Sequence, residues 1–212
     1  MIKTKILISS LIFTSFLFAM DSHHQHHGSL KNKNHQSVST QIMDKMHEEM
    51  MKNPLVQTND IERDYLTNMI PHHQGAIDSS KLLLQHTKSE EMKKIATNII
   101  NAQEKEIQEF KEILEKNLYK KTQLSEEEYK KFVQEEKELM QKMMLLMGAV
   151  KESKNINKDF LEGMIAHHQG AVDASKQILF YSKDKTIREI AKKIILDQEK
   201  EIREFTQLLK YM

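Results

Sequence analysis

The chain contains no cysteine and no tryptophan, and it has only two prolines and five glycines among 212 residues. Without cysteine the fold has no disulfide bond, so any soft metal ligand must be methionine or histidine. Proline and glycine interrupt helices, whereas the lysine, glutamate, leucine, isoleucine and methionine that dominate here favour them. The composition therefore predicts an all-α fold.

Long apolar runs are missing too, except at the start of the chain. Lys3 and Lys5 precede an uncharged apolar run over residues 6–18, and Ala19 offers a small residue for cleavage. This pattern predicts a signal peptide over residues 1–20 and a periplasmic or secreted protein without a membrane anchor after cleavage. A buried N-terminal helix is the alternative.

A strong net charge is also absent. The formal net charge is +1, and removal of residues 1–20 with their two lysines would change it to −1. Nucleic acids and anionic membranes attract proteins that carry a clear positive excess. The balance of charges therefore argues against both as partners.

Histidine, by contrast, is concentrated in one segment. Residues 21–39 are polar and lack helical periodicity, so we expect a disordered arm there. The arm contains His23, His24, His26 and His27. Histidine-rich tracts commonly bind metal ions, although a solvated tail without a ligand would have the same composition.

The rest of the chain contains an internal duplication. Residues 64–117 align with residues 159–212 at a constant offset of 95, without a gap and with 26 identities in 54 positions. MIPHHQGAIDSSK in the first copy becomes MIAHHQGAVDASK in the second. Such similarity indicates a duplicated supersecondary unit. We therefore expect one helical domain over residues 40–212, with repeat halves of about 40–119 and 125–212.

Each copy is expected to form a helical hairpin. The predicted helices cover about 60–87 and 89–118 in the first copy, and about 158–182 and 184–211 in the second. Turns this short force the two helices of a hairpin to be antiparallel. A methionine-rich helix precedes each hairpin, one over about 40–52 and one from Ser125, where Glu128 completes a capping box. The sequence therefore predicts a four-helix bundle with methionine-rich helices alongside.

Polar side chains occupy positions that helical spacing places on the buried faces. His73 lies in the middle of an apolar stripe with His72 at its edge, and Gln103 and Glu106 point inward from the partner helix. The second copy repeats these positions as His167, His168, Gln198 and Glu201. Unpaired buried carboxylates are costly, so we expect these groups to meet in the bundle interior and to satisfy one another or a ligand.

Two explanations for the inward polar groups stay open. In the first, Glu106 accepts a hydrogen bond from His73 and Gln103 completes a closed network that fixes the helix register. In the second, methionine and histidine four residues apart on one helical face bind a soft ion such as Cu(I) or Ag(I). Methionine stripes also fill cores, which is the alternative for them. The candidate metal ligands are Met69, His72, His73, Met164, His167 and His168, a second surface of Met46, His47 and Met50, and His23, His24, His26 and His27 of the arm.

The paired HHQGA and QEKEI motifs resemble the family known as domain of unknown function 305. The resemblance extends from about residue 60 to the C-terminus and rests on both motif copies. It implies a ferritin-like four-helix bundle and, because the family includes exported CopM-like proteins that bind copper, it implies copper or silver binding. The family positions are Met69, His72, His73, Gln103 and Glu106, and Met164, His167, His168, Gln198 and Glu201.

Exported soft-metal binding, in copper tolerance or periplasmic copper handling, is thus the expected function. Its expected partners are the metal ion and other periplasmic copper proteins, and we expect no enzymatic activity. One alternative is a metal-free helical interaction module. Another is a ferritin-like di-iron oxidase, which needs about four inward carboxylates, whereas each half here offers one.

Overall fold

The computed structural model describes residues 36–212, which form six α-helices and, within that range, no strand. The helices are α1 (Val38–Lys52), α2 (Ile61–His86), α3 (Glu90–Lys116), α4 (Glu126–Gly148), α5 (Ile156–Tyr181) and α6 (Lys185–Leu208). A short 3-10 turn, Leu209–Tyr211, follows α6. The all-α prediction is confirmed.

Each helix begins at a residue whose side chain accepts a hydrogen bond from the backbone of the first turn. This satisfies a donor that has no partner inside the helix. At α4, Ser125 and Glu128 form the predicted capping box. The capping residues are Ser37, Asp60, Ser89, Ser125, Asn155 and Asp184.

Helix α1 begins two residues before its predicted start. Ser37 caps it, and the buried Ser39 donates a 2.5 Å hydrogen bond to Asp159 of α5. The prediction that the polar arm reaches Ser39 is therefore wrong, because these polar side chains have partners within the bundle. The predicted signal peptide and the histidines of the arm lie outside the described residues. Among residues 36–212, no helix combines the length and apolar character needed to cross a membrane.

The bundle consists of two helical hairpins that meet along α2 and α5. Helix α2 packs against α3, α5 packs against α6, and the first helices of the two hairpins contact each other. Helix α1 lies against both α2 and α5, while α4 packs mainly against α5. The predicted four-helix bundle with two methionine-rich helices alongside is confirmed.

The two hairpins interlock through equivalent contacts. Ser182, in the turn of the second hairpin, donates to Glu62 at the start of α2 at 2.6 Å. Thr87, in the turn of the first hairpin, donates to Asn157 at the start of α5 at 2.7 Å. Ser182 is equivalent to Thr87 at the repeat offset of 95, and Asn157 is equivalent to Glu62. The two halves are therefore related by a pseudo-twofold operation.

The flanking helices follow the same pseudo-symmetry. Tyr129 of α4 donates a 2.6 Å hydrogen bond to Asp64 of α2, just as Ser39 of α1 donates to Asp159 of α5. Asp64 and Asp159 are equivalent positions in the two copies. Each flanking helix is thus hydrogen-bonded to the hairpin of the opposite half, which makes it an integral part of the bundle.

Candidate soft-metal centre

Two histidine rings from opposite halves meet where α2 and α5 pack together. The ring centroids of His72 and His167 are 3.8 Å apart, with the planes tilted by 34°. Nε2 of His72 is 3.2 Å from the backbone carbonyl oxygen of His167. His72, predicted at the edge of the apolar stripe, is buried because the contact between the two hairpins covers this edge.

The neighbouring histidines turn away from this contact and pair with carboxylates of their own hairpins. Nε2 of His73 is 2.9 Å from Glu106 on α3, and Nε2 of His168 is 2.7 Å from Glu201 on α6. The predicted contact between His73 and Glu106 is therefore present. Each of these hydrogen bonds fixes the orientation of a fully buried imidazole ring.

The environment of Glu106 keeps its carboxyl group ionised. Burial alone would raise the pKa of Glu106, but the hydrogen bond from His73 and the nearby Lys193 together lower it to about 2. Lys193 Nζ is 2.6 Å from the second carboxylate oxygen. Since Glu106 is a carboxylate at neutral pH, Nε2 of His73 carries the proton and donates it. Glu201 is the equivalent of Glu106 in the second copy, and the residue equivalent to Lys193 in the first copy is Asn98. The Glu201 carboxylate therefore lacks the lysine that supports Glu106.

The two glutamines do not complete the predicted network. Gln103 and Gln198 are buried, with 3% of each residue exposed, but the Gln103 carboxamide oxygen and both polar atoms of the Gln198 side chain lack a hydrogen-bond partner. The prediction that Gln103 closes the network is therefore wrong. The reason is that each histidine donates the proton on Nε2 to its carboxylate, so a neutral ring has no second proton for a glutamine oxygen.

Imidazole nitrogens at the bundle centre also lack partners. Nδ1 of His72, His73, His167 and His168 is buried without a hydrogen bond, and so is Nε2 of His167. Buried polar atoms in folded proteins are nearly always paired, so such a concentration marks a site that suits a ligand. A histidine whose Nε2 donates to a carboxylate has Nδ1 free as an electron-pair donor, which is the arrangement that metal-binding histidines use.

The two central imidazoles are neutral at physiological pH. Burial lowers the pKa of His72 well below its usual value, and the neighbouring His73 and His168 lower it further. Burial has the same effect on the pKa of His167, with His72 as the next contributor. Only the neutral imidazole has a lone pair for a metal ion, so the site favours the ligand form of both side chains.

Four methionines contribute to the wall of a pocket beside His72. Met50 of α1, Met69 of α2, and Met140 and Met143 of α4 share its wall with His72. Met69 therefore lines a pocket with His72, which is three residues further along the helix. The predicted partner of Met69 is His73, four residues along, and Nε2 of His73 contacts Glu106. Since Nδ1 of His73 has no hydrogen-bond partner, the pairing of Met69 with His73 stays a prediction.

The structure also separates the predicted surface of Met46, His47 and Met50. Met50 faces the His72 pocket, and His47 lines a different pocket between α1 and α4. Met46 is fully buried, and its sulfur is 3.1 Å from the position that a Cβ would occupy at Gly163. Met164 is likewise fully buried in the core cluster that contains Met46 and Met50.

Met140 and Met143 were not predicted as ligands, although the sequence contains a signal for them. Their helix repeats α1 at an offset of 97, so that Met43, Met46 and Met50 correspond to Met140, Met143 and Met147. The structure supports this alignment, since Met46 packs on Gly75 and Met143 on the equivalent Gly170. The duplication thus includes the flanking helices. The linker between flanking helix and hairpin is two residues shorter in the second half, so the flanking helices do not align at the offset of 95.

Carboxylates and imidazoles alone do not form a metal site in the described bundle. No group of three or more His, Cys, Asp or Glu residues in this part of the chain is arranged to hold a metal ion. The soft donors that share the pocket wall with His72 are thioethers. Such donors suit a soft monovalent ion rather than the hard ions that carboxylate sites bind.

The fold and this site define a class: a duplicated ferritin-like helical bundle with a histidine pair between its halves and methionines around it. The family model described as Domain of unknown function (DUF305) matches residues 62–209. The chain therefore belongs to the DUF305 family.

Solved structures with the same fold include metal-bound ones. CopM in the Ag-bound form and CopM in the Cu(I)-bound form are each 26% identical to this chain, with a TM-score of 0.52 over 71% of this chain and 95% and 96% of those chains. A DUF305 fragment from Deinococcus radiodurans has a TM-score of 0.54 at 19% identity, over 76% of this chain and 100% of that fragment. At that identity, the fragment supports the fold alone.

A curated relative matches a shorter segment. The uncharacterized protein L153 of Acanthamoeba polyphaga mimivirus is 44% identical over 54 residues, which are 26% of this chain. The match spans 36% of the length of that viral protein. It therefore shows that a unit about the size of one hairpin repeat also occurs in another protein.

Glu136 in the pocket wall is expected to make stability depend on pH. Burial raises the pKa of Glu136 to about 7, against the hydrogen bond from Asn68 at 2.7 Å. Between pH 4.5 and 7 the folded state therefore keeps a proton on Glu136 that the unfolded state has lost. The contribution of this proton to the free energy of unfolding is complete below pH 4.5 and is lost as the pH rises through 7. Glu136→Gln should raise the free energy of unfolding at pH 8 by roughly 2 kcal/mol, since one pKa unit corresponds to about 1.4 kcal/mol.

Chemical denaturation at several pH values measures this effect. The gain from Glu136→Gln should disappear below about pH 4.5, where the native glutamic acid is protonated in both states. Glu138→Gln, a change two residues away on an exposed side chain, is the matched control and should have no effect. A gain that is the same at pH 4 and pH 8 would contradict the explanation.

Proposed function

We propose that this protein is exported and binds a soft monovalent metal ion, Cu(I) or Ag(I), through methionine thioethers and histidine. The observation that carries the proposal is the pocket whose wall contains Met50, Met69, Met140 and Met143 together with the neutral His72. The four methionines come from three helices and both repeat halves. Copper tolerance or periplasmic copper handling is the corresponding role.

The chemistry of the pocket fits such an ion. Thioethers are soft, uncharged donors, and Cu(I) and Ag(I) accept few ligands, so two or three sulfurs with one imidazole suffice. Apolar walls limit the access of water to the ion. Glu136 lies in the same wall, with one carboxyl oxygen buried and without a partner, and in its ionised form it would balance the positive charge.

The relatives support the same ion class. CopM, which shares the fold at 26% identity, has been crystallised with silver and with Cu(I). Export is supported by the charged and apolar pattern of residues 1–20. Binding, storage or delivery of the ion, without catalysis, is the activity that we propose. Metal roles for Met46, Met164, His73, His167, His168 and the histidines of the arm stay predictions.

Replacing methionines of the pocket should weaken Cu(I) binding. We expect Met69→Leu and Met140→Leu each to raise the Kd for Cu(I) at least about tenfold, which corresponds to about 1.4 kcal/mol per ligand. Leucine retains most of the volume, so each change should cost less than about 1.5 kcal/mol of stability. Competition with a chromophoric Cu(I) chelator under anaerobic conditions measures the Kd.

Two other methionines provide matched controls. Met92 is fully buried on α3 and Met51 is 67% exposed on α1, and neither lines the pocket. Met92→Leu and Met51→Leu should leave Cu(I) binding unchanged. All four variants keep the same arm, so its histidines contribute equally to each titration. If the pocket variants bind Cu(I) as tightly as the controls, the methionines only fill the core, and the proposal fails.

A further inference from the structure

A second methionine-rich pocket lies between α1 and α4 and is distinct from the His72 pocket. Its potential donors are Met43 and His47 of α1, and Met144 and Met147 of α4. None of these four side chains lines the His72 pocket. We infer that this second pocket is an additional binding site for a soft monovalent ion, an inference that rests on the proposed function.

The donor atoms in the second pocket fit the same ion class. Three thioethers and one imidazole are the set that Cu(I) and Ag(I) prefer. Nδ1 of His47 is buried and has no hydrogen-bond partner, which is unusual for an imidazole nitrogen unless a ligand uses it. His47 and Met144 are equivalent positions at the offset of 97, so each repeat half contributes one donor from the same place in its flanking helix.

The charges around the second pocket favour a cation. Asp44, Glu152 and Asp159 lie in its wall, and no lysine or arginine does. Asp159 accepts hydrogen bonds from Ser39 and Ser153, so it is occupied within the fold. Asp44 and Glu152 accept only long contacts, at 3.3 Å and 3.4 Å, and remain as negative charges near the opening. Such charges concentrate cations at the pocket.

Met43 connects the second pocket to the buried methionines. Its sulfur and that of Met46 both contact the position that a Cβ would occupy at Gly163. Met46 is fully buried beside Met50, which lines the His72 pocket. A row of thioethers therefore extends from the second pocket into the core.

Methyl NMR of the full chain, labelled with 13C at the methionine methyl groups, tests the inference with Ag(I) added as the nitrate. The methyl signals of Met43, Met144 and Met147 should shift on addition of Ag(I), together with those of the His72 pocket. Each signal is assigned by its loss in the corresponding leucine variant. In the double variant Met144→Leu with Met147→Leu, the response of Met43 should need at least about tenfold more Ag(I), because two of the donors are gone. The signals of Met51 and Met92, which line neither pocket, should stay in place.

The methyl signals distinguish failure of the inference from failure of the proposed function. Shifts of Met69 and Met140 without shifts of Met43, Met144 and Met147 would overturn the inference and leave the proposed function standing. If no methionine signal responds, the proposed function fails and the inference fails with it. A shift of the Met43, Met144 and Met147 signals that persists in the Met69→Leu variant would show that the second pocket binds Ag(I) independently.

Discussion

Gly75→Ala should lower the free energy of unfolding by about 3 kcal/mol, because a single methyl group there collides with the backbone of a neighbouring helix. A Cβ at Gly75 would contact the carbonyl oxygen of Met46, with the carbonyl carbon at 2.8 Å and the oxygen of Lys45 at 3.4 Å. These are backbone atoms of α1, which the hydrogen bond between Ser39 and Asp159 also holds in place. The whole helix would have to move to make room.

The equivalent Gly170 offers a matched control for this prediction. The three atoms nearest to a Cβ at Gly170 all belong to the side chain of Met143, and the two nearest, Sδ and Cγ, can rotate away. Alanine also favours a helix over glycine by up to about 1 kcal/mol, so Gly170→Ala should change stability by less than about 1 kcal/mol. Urea denaturation of both variants measures the difference. Equal losses of stability at Gly75 and Gly170 would show that α1 packs no more closely on α2 than α4 packs on α5, contrary to the structure.

Glu106→Ala should lower the free energy of unfolding at neutral pH by about 3 kcal/mol, because a buried hydrogen-bond donor is left without an acceptor and a lysine without its charged partner. The change removes the acceptor of the fully buried His73 and the partner of Lys193. Because the pKa of Glu106 is lowered to about 2 from 4.5, its contribution is complete above about pH 4.5 and disappears as the pH falls through 2. The difference between the parent and the variant should therefore shrink over that range.

Glu201→Ala is the comparison for Glu106→Ala. Glu201 accepts from His168 in the same geometry, but its side chain is 25% exposed and the position equivalent to Lys193 is Asn98. Water can reach His168 once the carboxylate is removed, so we expect a smaller loss of about 1 kcal/mol. Thermal and chemical denaturation of the two variants under the same conditions tests this. A larger loss for Glu201→Ala than for Glu106→Ala would contradict the assignment of Glu106 as the stronger pair.

The offset of 95 and the helix-capping residues allowed the two hairpins to be predicted from the sequence alone. Both features depend on contacts between residues close in the chain, where helical geometry fixes which side chains share a face. The same local geometry placed His73 and Glu106 on the buried faces of adjacent helices. Their hydrogen bond could therefore be predicted from the sequence.

The sequence could not determine which edge of each apolar stripe the other hairpin covers. His72 was predicted at an edge, yet the packing of α2 on α5 brings it against His167. Gln103 was predicted to join the network, but its oxygen has no partner because His73 uses its Nε2 for Glu106. These outcomes depend on the crossing of helices that are distant in sequence, and periodicity carries no information about that crossing.

The composition and the duplication by themselves determined an all-α bundle of two hairpins, and they placed the histidines and methionines on helices. Only the tertiary structure decided which of them share a pocket. Met69 lies with His72, Met140 and Met143, and Met43 lies with His47 and Met144. The physical reason is that helical periodicity fixes the direction of a side chain around its own axis. Which donors converge depends instead on how α1 and α4 are placed across the two hairpins, and contacts such as that of Met46 with Gly75 fix this placement.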